Sequence, residues 1–285
     1  MLRPYLTFQH RYTMKNSTFV SVALVSISTV LATPAFGQMD HGSHGGGHGG
    51  GKQASPAQSP TMEIVGKKEA KAGATRISFR LKRAGKELRA RDLAVSHEKK
   101  LHVLIYDPSL TQFFHVHPEE KNGVWTTEDV PFAVNGEYRV WAEGKMNGEE
   151  ATFTVSQPFK VTGGQPAIKR PATLPAVTES TVGTSKAVLT GADALVAGKE
   201  VMPILELSRT DGSKPVLKPY LGAMAHVVVV PLSGDKLIHV HPMDTDTPTK
   251  LMVHTTFPKP GDYRVWIQFD DGGELKTATM AVNVK

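Results

Sequence analysis

The chain carries the same unit of about 100 residues twice, and this duplication limits the folds that are open to it. The spacing His-x12-His-x-His-Pro starts at His102 and again at His226, without gap or insertion. The phrase Gly-x-Tyr-Arg-Val-Trp then ends at Trp141 and again at Trp266. Two motifs that recur in the same order indicate a tandem repeat, so we expect two copies of one domain.

Both units show the two-residue alternation of β-strands, and neither shows a helical period. In the first unit, strand-length runs are separated by Asp-Pro, Asn-Gly and glycine turn signals. These runs are residues 76–82, 101–106, 113–117, 130–134, 137–143 and 151–161. The Gly-x-Tyr phrase at the start of a late run resembles the tyrosine corner of immunoglobulin-like sandwiches. We therefore predict an all-β chain with two tandem β-sandwich domains of the immunoglobulin-like, or cupredoxin-like, kind.

Composition divides the chain into five segments. These are an export signal peptide at 1–37, a disordered His/Gly-rich tail at 38–60, a first β-sandwich repeat at 61–163, a Pro/Gly-rich linker at 164–184 and a second β-sandwich repeat at 185–285. The tail composition cannot bury a core. The signal has a charged start, an apolar run and a small-residue cleavage site, and the run is shorter than the roughly 20 residues of a membrane-spanning helix. We expect a periplasmic or secreted protein without a membrane anchor after cleavage.

The charge of the chain gives no reason to expect a nucleic-acid partner. The sequence has 33 basic and 27 acidic residues, and removal of the signal takes away three basic residues, which leaves 30. Such a near balance does not form the basic surface that nucleic-acid binding requires. Cysteine is absent, which excludes disulfides, thiolate metal sites and a cysteine nucleophile. Metal ligands could come only from His, Met, Asp and Glu side chains.

The histidines of each unit are spaced so that three imidazoles would converge. Residues two apart on a strand lie on one face, roughly 6.6 Å apart, and a hairpin brings an opposed residue to about 4.5–5.5 Å at Cβ. The predicted ligands are His102, His115 and His117 in the first unit, and His226, His239 and His241 in the second. Because neutral imidazole suits copper, zinc, nickel or iron, the pattern predicts one three-histidine metal site in each unit.

The same alternation predicts where these sites face. One side of each hairpin carries apolar residues that would enter the core, and the other side carries the histidines. The apolar residues are Val103, Ile105, Phe114 and Val116 in the first unit, and Val227, Val229, Ile238 and Val240 in the second. We therefore expect each site to lie on an outer sheet face or rim, open to solvent. The duplication predicts two independent sites, and the alternative is one site at the interface that both units share.

Further candidate ligands lie around the two triplets. They are His97 in the first unit, Met224 and Met243 in the second, and His41, His44 and His48 in the tail. Thioethers favour Cu(I), although Met224 could instead fill the core. The histidine tract could be either a metal-collecting tail or a solvated spacer.

Several phrases together carry a family resemblance over most of residues 62–285. They are a Met-Asp-His-Gly tail after the signal, Phe-Phe-His-Val-His-Pro, Gly-Glu-Tyr-Arg-Val-Trp and Gly-Asp-Tyr-Arg-Val-Trp-Ile-Gln-Phe. The combination resembles a family of secreted bacterial His-x-His-Pro proteins that occur with copper and heavy-metal efflux systems. This resemblance implies a copper-binding protein, with zinc or another divalent transition metal as the alternative. Its implied role is buffer, chaperone or sensor for heavy-metal resistance, with an efflux component as a partner.

Two enzyme families share part of this pattern. The phrase Phe-His-Val-His ending at His117 is similar to copper-zinc superoxide dismutase, but that enzyme's further metal histidines lie downstream, and none follows here before the linker. Cupins pair His-x-His with a nearby Glu, which Glu119 or Glu120 could supply, but their later histidine is again missing. We therefore predict that the chain is not an enzyme. The other alternative is a metal-free immunoglobulin-like adhesion or scaffold module, which metal titration would distinguish.

Overall fold

A computed structural model gives the fold of residues 59–285. The predicted signal and nearly all of the predicted tail, with His41, His44 and His48, lie outside these described residues. Among residues 59–285, no helix combines the length and the hydropathy of a membrane span.

The first repeat consists of thirteen strands and one short 3-10 turn at Ala90–Asp92. The strands are β1 (Thr61–Ile64), β2 (Glu69–Lys71), β3 (Gly73–Thr75), β4 (Ser78–Arg83), β5 (Lys86–Leu88), β6 (Leu93–Ala94), β7 (Leu101–Tyr106), β8 (Phe113–Val116), β9 (Glu119–Lys121), β10 (Val124–Thr126), β11 (Val130–Phe132), β12 (Gly136–Met146) and β13 (Thr152–Thr162). One sheet has the order β1-β4-β10-β9, with β5 beside β4. The other has the order β2-β13-β12-β7-β8, with β6 beside β12, while β3 pairs with β11.

The second repeat has twelve strands and a 3-10 turn at Ala192–Ala194. The strands are β14 (Glu179–Val182), β15 (Ser185–Thr190), β16 (Glu200–Val201), β17 (Ile204–Arg209), β18 (Leu217–Lys218), β19 (His226–Pro231), β20 (Ile238–Val240), β21 (Met243–Asp244), β22 (Lys250–Met252), β23 (Thr255–Thr256), β24 (Gly261–Asp271) and β25 (Glu274–Val284). One sheet has the order β14-β15-β17-β22-β21, and the other has β18-β24-β19-β20 with β25 beside β24. The predicted all-β fold with two tandem sandwiches is confirmed.

The strand β14 lies inside the predicted linker. Residues Glu179–Val182 form an antiparallel pair with β15, so the second repeat begins before residue 185. The run Glu-Ser-Thr-Val contains a single apolar residue, and its side chains are exposed or half-buried. Such a run does not show the apolar alternation by which strands are recognised in a sequence.

Each sandwich encloses its own core, and the predicted inward faces are confirmed. Val103, Ile105 and Val116 belong to the core of the first repeat, while Val227 and Val229 belong to that of the second. Strand alternation places the neighbouring side chains of these hairpins on the opposite face.

Both repeats contain the tyrosine corner that the Gly-x-Tyr phrase predicts. The hydroxyl of Tyr138 donates a hydrogen bond to the Val134 carbonyl at 3.0 Å. The hydroxyl of Tyr263 donates to the Lys259 carbonyl at 2.7 Å. Both tyrosines are buried. A tyrosine that bonds to the backbone a few residues upstream is a hallmark of immunoglobulin-like sandwiches.

The outer faces of the two histidine-bearing sheets pack against each other within one compact unit. The apolar part of this interface consists of Leu104, Tyr106, Leu110 and Trp141 from the first repeat, and Val228, Val230 and Trp266 from the second. The rings of Phe113 and Trp266 stack with centroids 4.7 Å apart. The Tyr106 hydroxyl donates to the Gly234 carbonyl of the other repeat at 3.0 Å. The interface therefore combines apolar burial with directional hydrogen bonds.

The linker reinforces this interface through one arginine. The Arg170 guanidinium donates hydrogen bonds to the Pro108 carbonyl in the β7–β8 loop and to the Leu232 carbonyl in the β19–β20 loop at 2.9 Å. One side chain thus ties the corresponding loops of both repeats together.

Candidate metal centre

The first histidine triplet converges on the β7–β8 hairpin, as its spacing predicts. Antiparallel pairing places Leu104 opposite His115, so the histidines share the face that turns away from the core. The Nδ1 atom of His102 lies 3.1 Å from Nε2 of His115 and 3.2 Å from Nε2 of His117. Ring nitrogens of all three lie within 4.8 Å of one another. This group could hold a metal ion.

The second convergent group crosses the interface between the repeats. The Nδ1 atom of His226 lies 3.4 Å from Nε2 of His239. The third nitrogen within 4.8 Å of both belongs to His115 of the first repeat. The predicted partner His241 instead stacks on His97, with ring centroids 3.4 Å apart. The two predicted triplets therefore form one contiguous cluster.

The interface buries most of this cluster, which corrects the expectation of solvent-open sites. His102, His115 and His226 are 2%, 6% and 0% exposed, and the side chain of His239 is 0% exposed. Sequence alternation placed these residues correctly on the outer sheet faces. It did not reveal that each outer face is covered by the other repeat. Among the clustered histidines, His97 is the exposed one.

Backbone carbonyls fix the tautomers of the first histidine in each triplet. Nε2 of His102 lies 3.1 Å from the Ser96 carbonyl, and Nε2 of His226 lies 2.8 Å from the Tyr220 carbonyl. Because a carbonyl oxygen only accepts hydrogen bonds, Nε2 must carry the proton in both rings. Each Nδ1 atom therefore presents a lone pair to the cluster.

Side chains from the opposite repeat fix the next two tautomers. Nδ1 of His115 donates to Oε1 of Gln268 at 3.0 Å, and Nδ1 of His239 donates to Oε1 of Glu143 at 2.9 Å. The Gln268 amide nitrogen donates to Thr277 at 3.2 Å, which directs its oxygen toward His115. In the neutral form of each ring, the Nε2 atom is then the lone-pair donor. Hydrogen bonds of this kind orient imidazoles that ligate metals.

Glu143 and Gln268 are functional residues that were not predicted from the sequence. Both residues stand two positions after the Trp of the repeated Gly-x-Tyr-Arg-Val-Trp phrase, and each pairs across strands with the first histidine of its repeat. Their equivalent positions in the two repeats could have pointed to both residues from the sequence alone. The crossing of each side chain to the other repeat was not visible in the sequence.

The fixed tautomers leave lone pairs facing each other at close range. His102 Nδ1 faces His115 Nε2 at 3.1 Å, and His226 Nδ1 faces His239 Nε2 at 3.4 Å. Two such lone pairs repel unless a cation lies between them. In a tetrahedral site with metal–nitrogen bonds of about 2.0–2.1 Å, neighbouring nitrogens lie about 3.3 Å apart. The observed separations suit a metal ion.

Burial keeps the imidazoles of His102, His115, His117 and His226 neutral near pH 7. It lowers the pKa of His102 and His226 to about 4 and that of His117 to about 3. Burial also lowers the pKa of His115 well below its ordinary value, and neighbouring histidines add to the effect. A proton is therefore not available to the His102–His115 pair near neutral pH, and no proton must leave before a metal ion binds there.

The lowered pKa values predict that acid destabilises the metal-free protein. The unfolded chain protonates His102 and His226 below about pH 6.5, whereas the folded chain does so only near pH 4. The unfolded state thus binds more protons in this window, and the free energy of unfolding falls as the pH is lowered through it. We expect calorimetry to show a melting temperature that falls between about pH 7.5 and pH 4.5. His102→Gln with His226→Gln should flatten this dependence, and an equally steep fall in that variant would contradict the assignment.

The two thioether candidates lie against the core of the second repeat and on its other sheet. Met224 is partly buried and packs against the core of the second repeat, which is the position that the core-filling alternative expects. Met243 lies on β21, is 37% exposed and pairs with Met252. That strand belongs to the sheet that does not carry the histidines.

Together, the fold and this centre define a tandem β-sandwich protein with a histidine cluster between its repeats. Residues 58–162 and residues 180–285 each match the profile of one family, described as a domain of unknown function (DUF8832). The chain belongs to this family and carries its domain twice. The comparison with curated proteins finds no match.

Solved structures of other tandem β-sandwiches match at low similarity. A chimeric titin Z1Z2 tandem is 12% identical with a TM-score of 0.20, over 79% of this chain and 99% of that one. A segment of two fibronectin type III domains from chicken tenascin is 12% identical with a TM-score of 0.21, over 79% and 98%. Alpha-2-macroglobulin from Escherichia coli is 12% identical with a TM-score of 0.24, over 80% of this chain and 20% of that one. Scores this low carry no argument about function.

Proposed function

We propose that this chain is an exported copper-binding protein that holds its ion between the two β-sandwich repeats. The observation that supports a metal is the pair of lone-pair contacts, His102 to His115 and His226 to His239. Acceptors from both repeats hold these tautomers in place. A metal-free adhesion or scaffold module would gain nothing from imidazole lone pairs that are buried against each other.

The donor set favours a divalent ion of the copper or zinc type. The nitrogens in both groups are imidazole nitrogens, and imidazole suits copper, zinc, iron and nickel. Affinity for such a site rises to a maximum at Cu²⁺ in the divalent series. We therefore propose Cu(II) as the ion and Zn(II) as its main competitor.

We propose that one ion is bound per centre. His115 belongs to both convergent groups, and its Nδ1 atom is engaged by Gln268. A single remaining nitrogen cannot ligate two ions at full strength, so the groups compete for one ion. This replaces the expectation of two independent sites.

A storage or transfer role suits the burial of these ligands better than catalysis does. His102, His115 and His226 are covered by the interface, which restricts the approach of a substrate to the bound ion. We therefore propose a non-enzymatic buffer, chaperone or sensor in the periplasm or outside the cell. An efflux component as its partner rests on the family resemblance described for the sequence.

Elemental analysis after loading tests this proposal. The protein is purified with His41→Gln, His44→Gln and His48→Gln, which removes the candidate tail ligands and is called the tail variant below. It is then loaded with Cu(II) or Zn(II) at pH 7.5 and dialysed. We expect one copper ion per chain and weaker retention of zinc. Two retained ions would support two independent sites in place of one shared site. The absence of retained metal would refute the proposal that the histidine cluster binds a metal ion.

A further inference from the structure

Two corresponding turns carry the carbonyls that orient His102 and His226. In the first repeat, Ser96 and Lys99 form an isolated bridge, and in the second repeat Tyr220 and Ala223 do the same. In the first turn the backbone N–H of Lys99 donates to the Ser96 carbonyl, and in the second the N–H of Ala223 donates to the Tyr220 carbonyl. The central residues of both turns have positive φ, which defines the type I′ turn.

The first repeat places unusual residues in its turn. His97 and Glu98 have φ of 50° and 63°, whereas the second repeat has Leu221 at 50° and Gly222 at 75°. Positive φ is uncommon for side chains other than glycine, and two successive instances are tolerated where surrounding structure or function requires them. The two turns also approach each other. A Cβ placed on Gly222 would lie 3.8 Å from the Cα of His97.

The strained position holds the His97 imidazole over the centre. Its ring stacks on that of His241 from the other repeat, with centroids 3.4 Å apart and 19° between the planes. Nε2 of His241 is buried and has no hydrogen-bond partner among the described residues. The His226 ring lies directly beyond, with its centroid 4.6 Å from that of His241. The imidazoles of His97, His241 and His226 thus contact one another in sequence, from an exposed residue to the buried second group.

We infer that His97 and His241 form an outer metal position, which takes a hydrated divalent copper ion from solvent and passes it to the buried group. This inference rests on the proposed function. His97 is an exposed residue, and rotation of its imidazole away from His241 would let it exchange for a water ligand of the arriving ion. Nε2 of His241 provides the next donor. Return of the His97 ring to its stacked position then covers the ion.

An outer position changes the rate of binding but not its equilibrium. It lowers the barrier for uptake and release alike, whereas the affinity depends on the ligands of the final site. Loss of His97 should therefore slow association and dissociation by similar factors. A residue that ligates the ion in its final site would behave differently, because its loss raises the dissociation constant.

Stopped-flow mixing of Cu(II) with the tail variant at pH 7.5 tests the inference. His97→Asn removes the imidazole and keeps a residue that tolerates positive φ, and Glu98→Asn is the matched control in the same turn. We expect His97→Asn to slow both association and dissociation by about tenfold and to change the dissociation constant by less than about threefold. The Glu98→Asn variant should bind at the unsubstituted rate.

Three results would overturn the inference while leaving the proposed function intact. They are an unchanged association rate in His97→Asn, an equal slowing in Glu98→Asn, and a dissociation constant that rises by about tenfold or more. The third would make His97 a ligand of the final site. A tail variant that binds no copper at all would instead refute the proposed function.

Discussion

Replacement of His115 by glutamine is expected to abolish tight copper binding. His115 is the one residue common to both convergent groups, so its loss leaves neither group with three nitrogens. Loss of a hydrogen bond that supports a ligand costs about 10–100-fold in affinity, and we expect loss of this ligand to exceed that range. Isothermal titration of the tail variant with Cu(II) at pH 7.5 measures the effect.

Two controls locate this effect in the centre. His254→Gln should bind copper normally, because His254 lies 3.6 Å from Glu200, outside both groups. His241→Gln should leave the dissociation constant close to its unsubstituted value, because His241 is absent from both groups. If His115→Gln bound copper as tightly as the His254→Gln control, the shared site would be excluded.

Replacement of Trp266 by alanine is expected to give the largest loss of stability among interface variants. Trp266 is 1% exposed and stacks on Phe113 of the other repeat. Removal of a buried aromatic side chain of this size costs about 3–5 kcal/mol. Urea unfolding of the metal-free protein measures the change in the free energy of unfolding.

A comparison with Trp125→Ala distinguishes the effect of lost interface packing from the effect of lost core packing. Trp125 is 2% exposed and lies in the core of the first repeat, so Trp125→Ala should cost a similar free energy without uncoupling the repeats. In Trp266→Ala, the two repeats should unfold in separate transitions. A loss below about 1 kcal/mol would show that the packing of Trp266 does not hold the repeats together.

Much of the fold follows from short-range regularities in the sequence. Two-residue alternation separated the core face of β7, with Val103 and Ile105, from the face that carries His102. The Gly-x-Tyr phrase predicted the hydrogen bond of Tyr138 to the backbone. Because a hairpin fixes its own register, the convergence of the first triplet was predictable as well.

The relation between the repeats was not predictable in the same way. Alternation shows which residues share a face, but it does not show what covers that face. The outer face of β7 also carries Leu104 and Tyr106, and that of β24 carries Trp266. Large apolar side chains on an outer face are a sign of an interface. They could have suggested burial of the histidines, although not the pairing of Glu143 with His239.

Each repeat supplies a hydrogen-bond acceptor to a histidine of the other repeat, as the two subunits of a symmetric dimer do. A residue of β12, Glu143, bonds to the second histidine of the other repeat, and its counterpart Gln268 on β24 does the same in return. In a two-fold interface, each surface patch meets its own copy in this manner. The arrangement is what gene duplication and fusion of a self-associating single-domain ancestor would leave behind. The two halves differ in the chemistry of this acceptor, which is a carboxylate in the first repeat and an amide oxygen in the second.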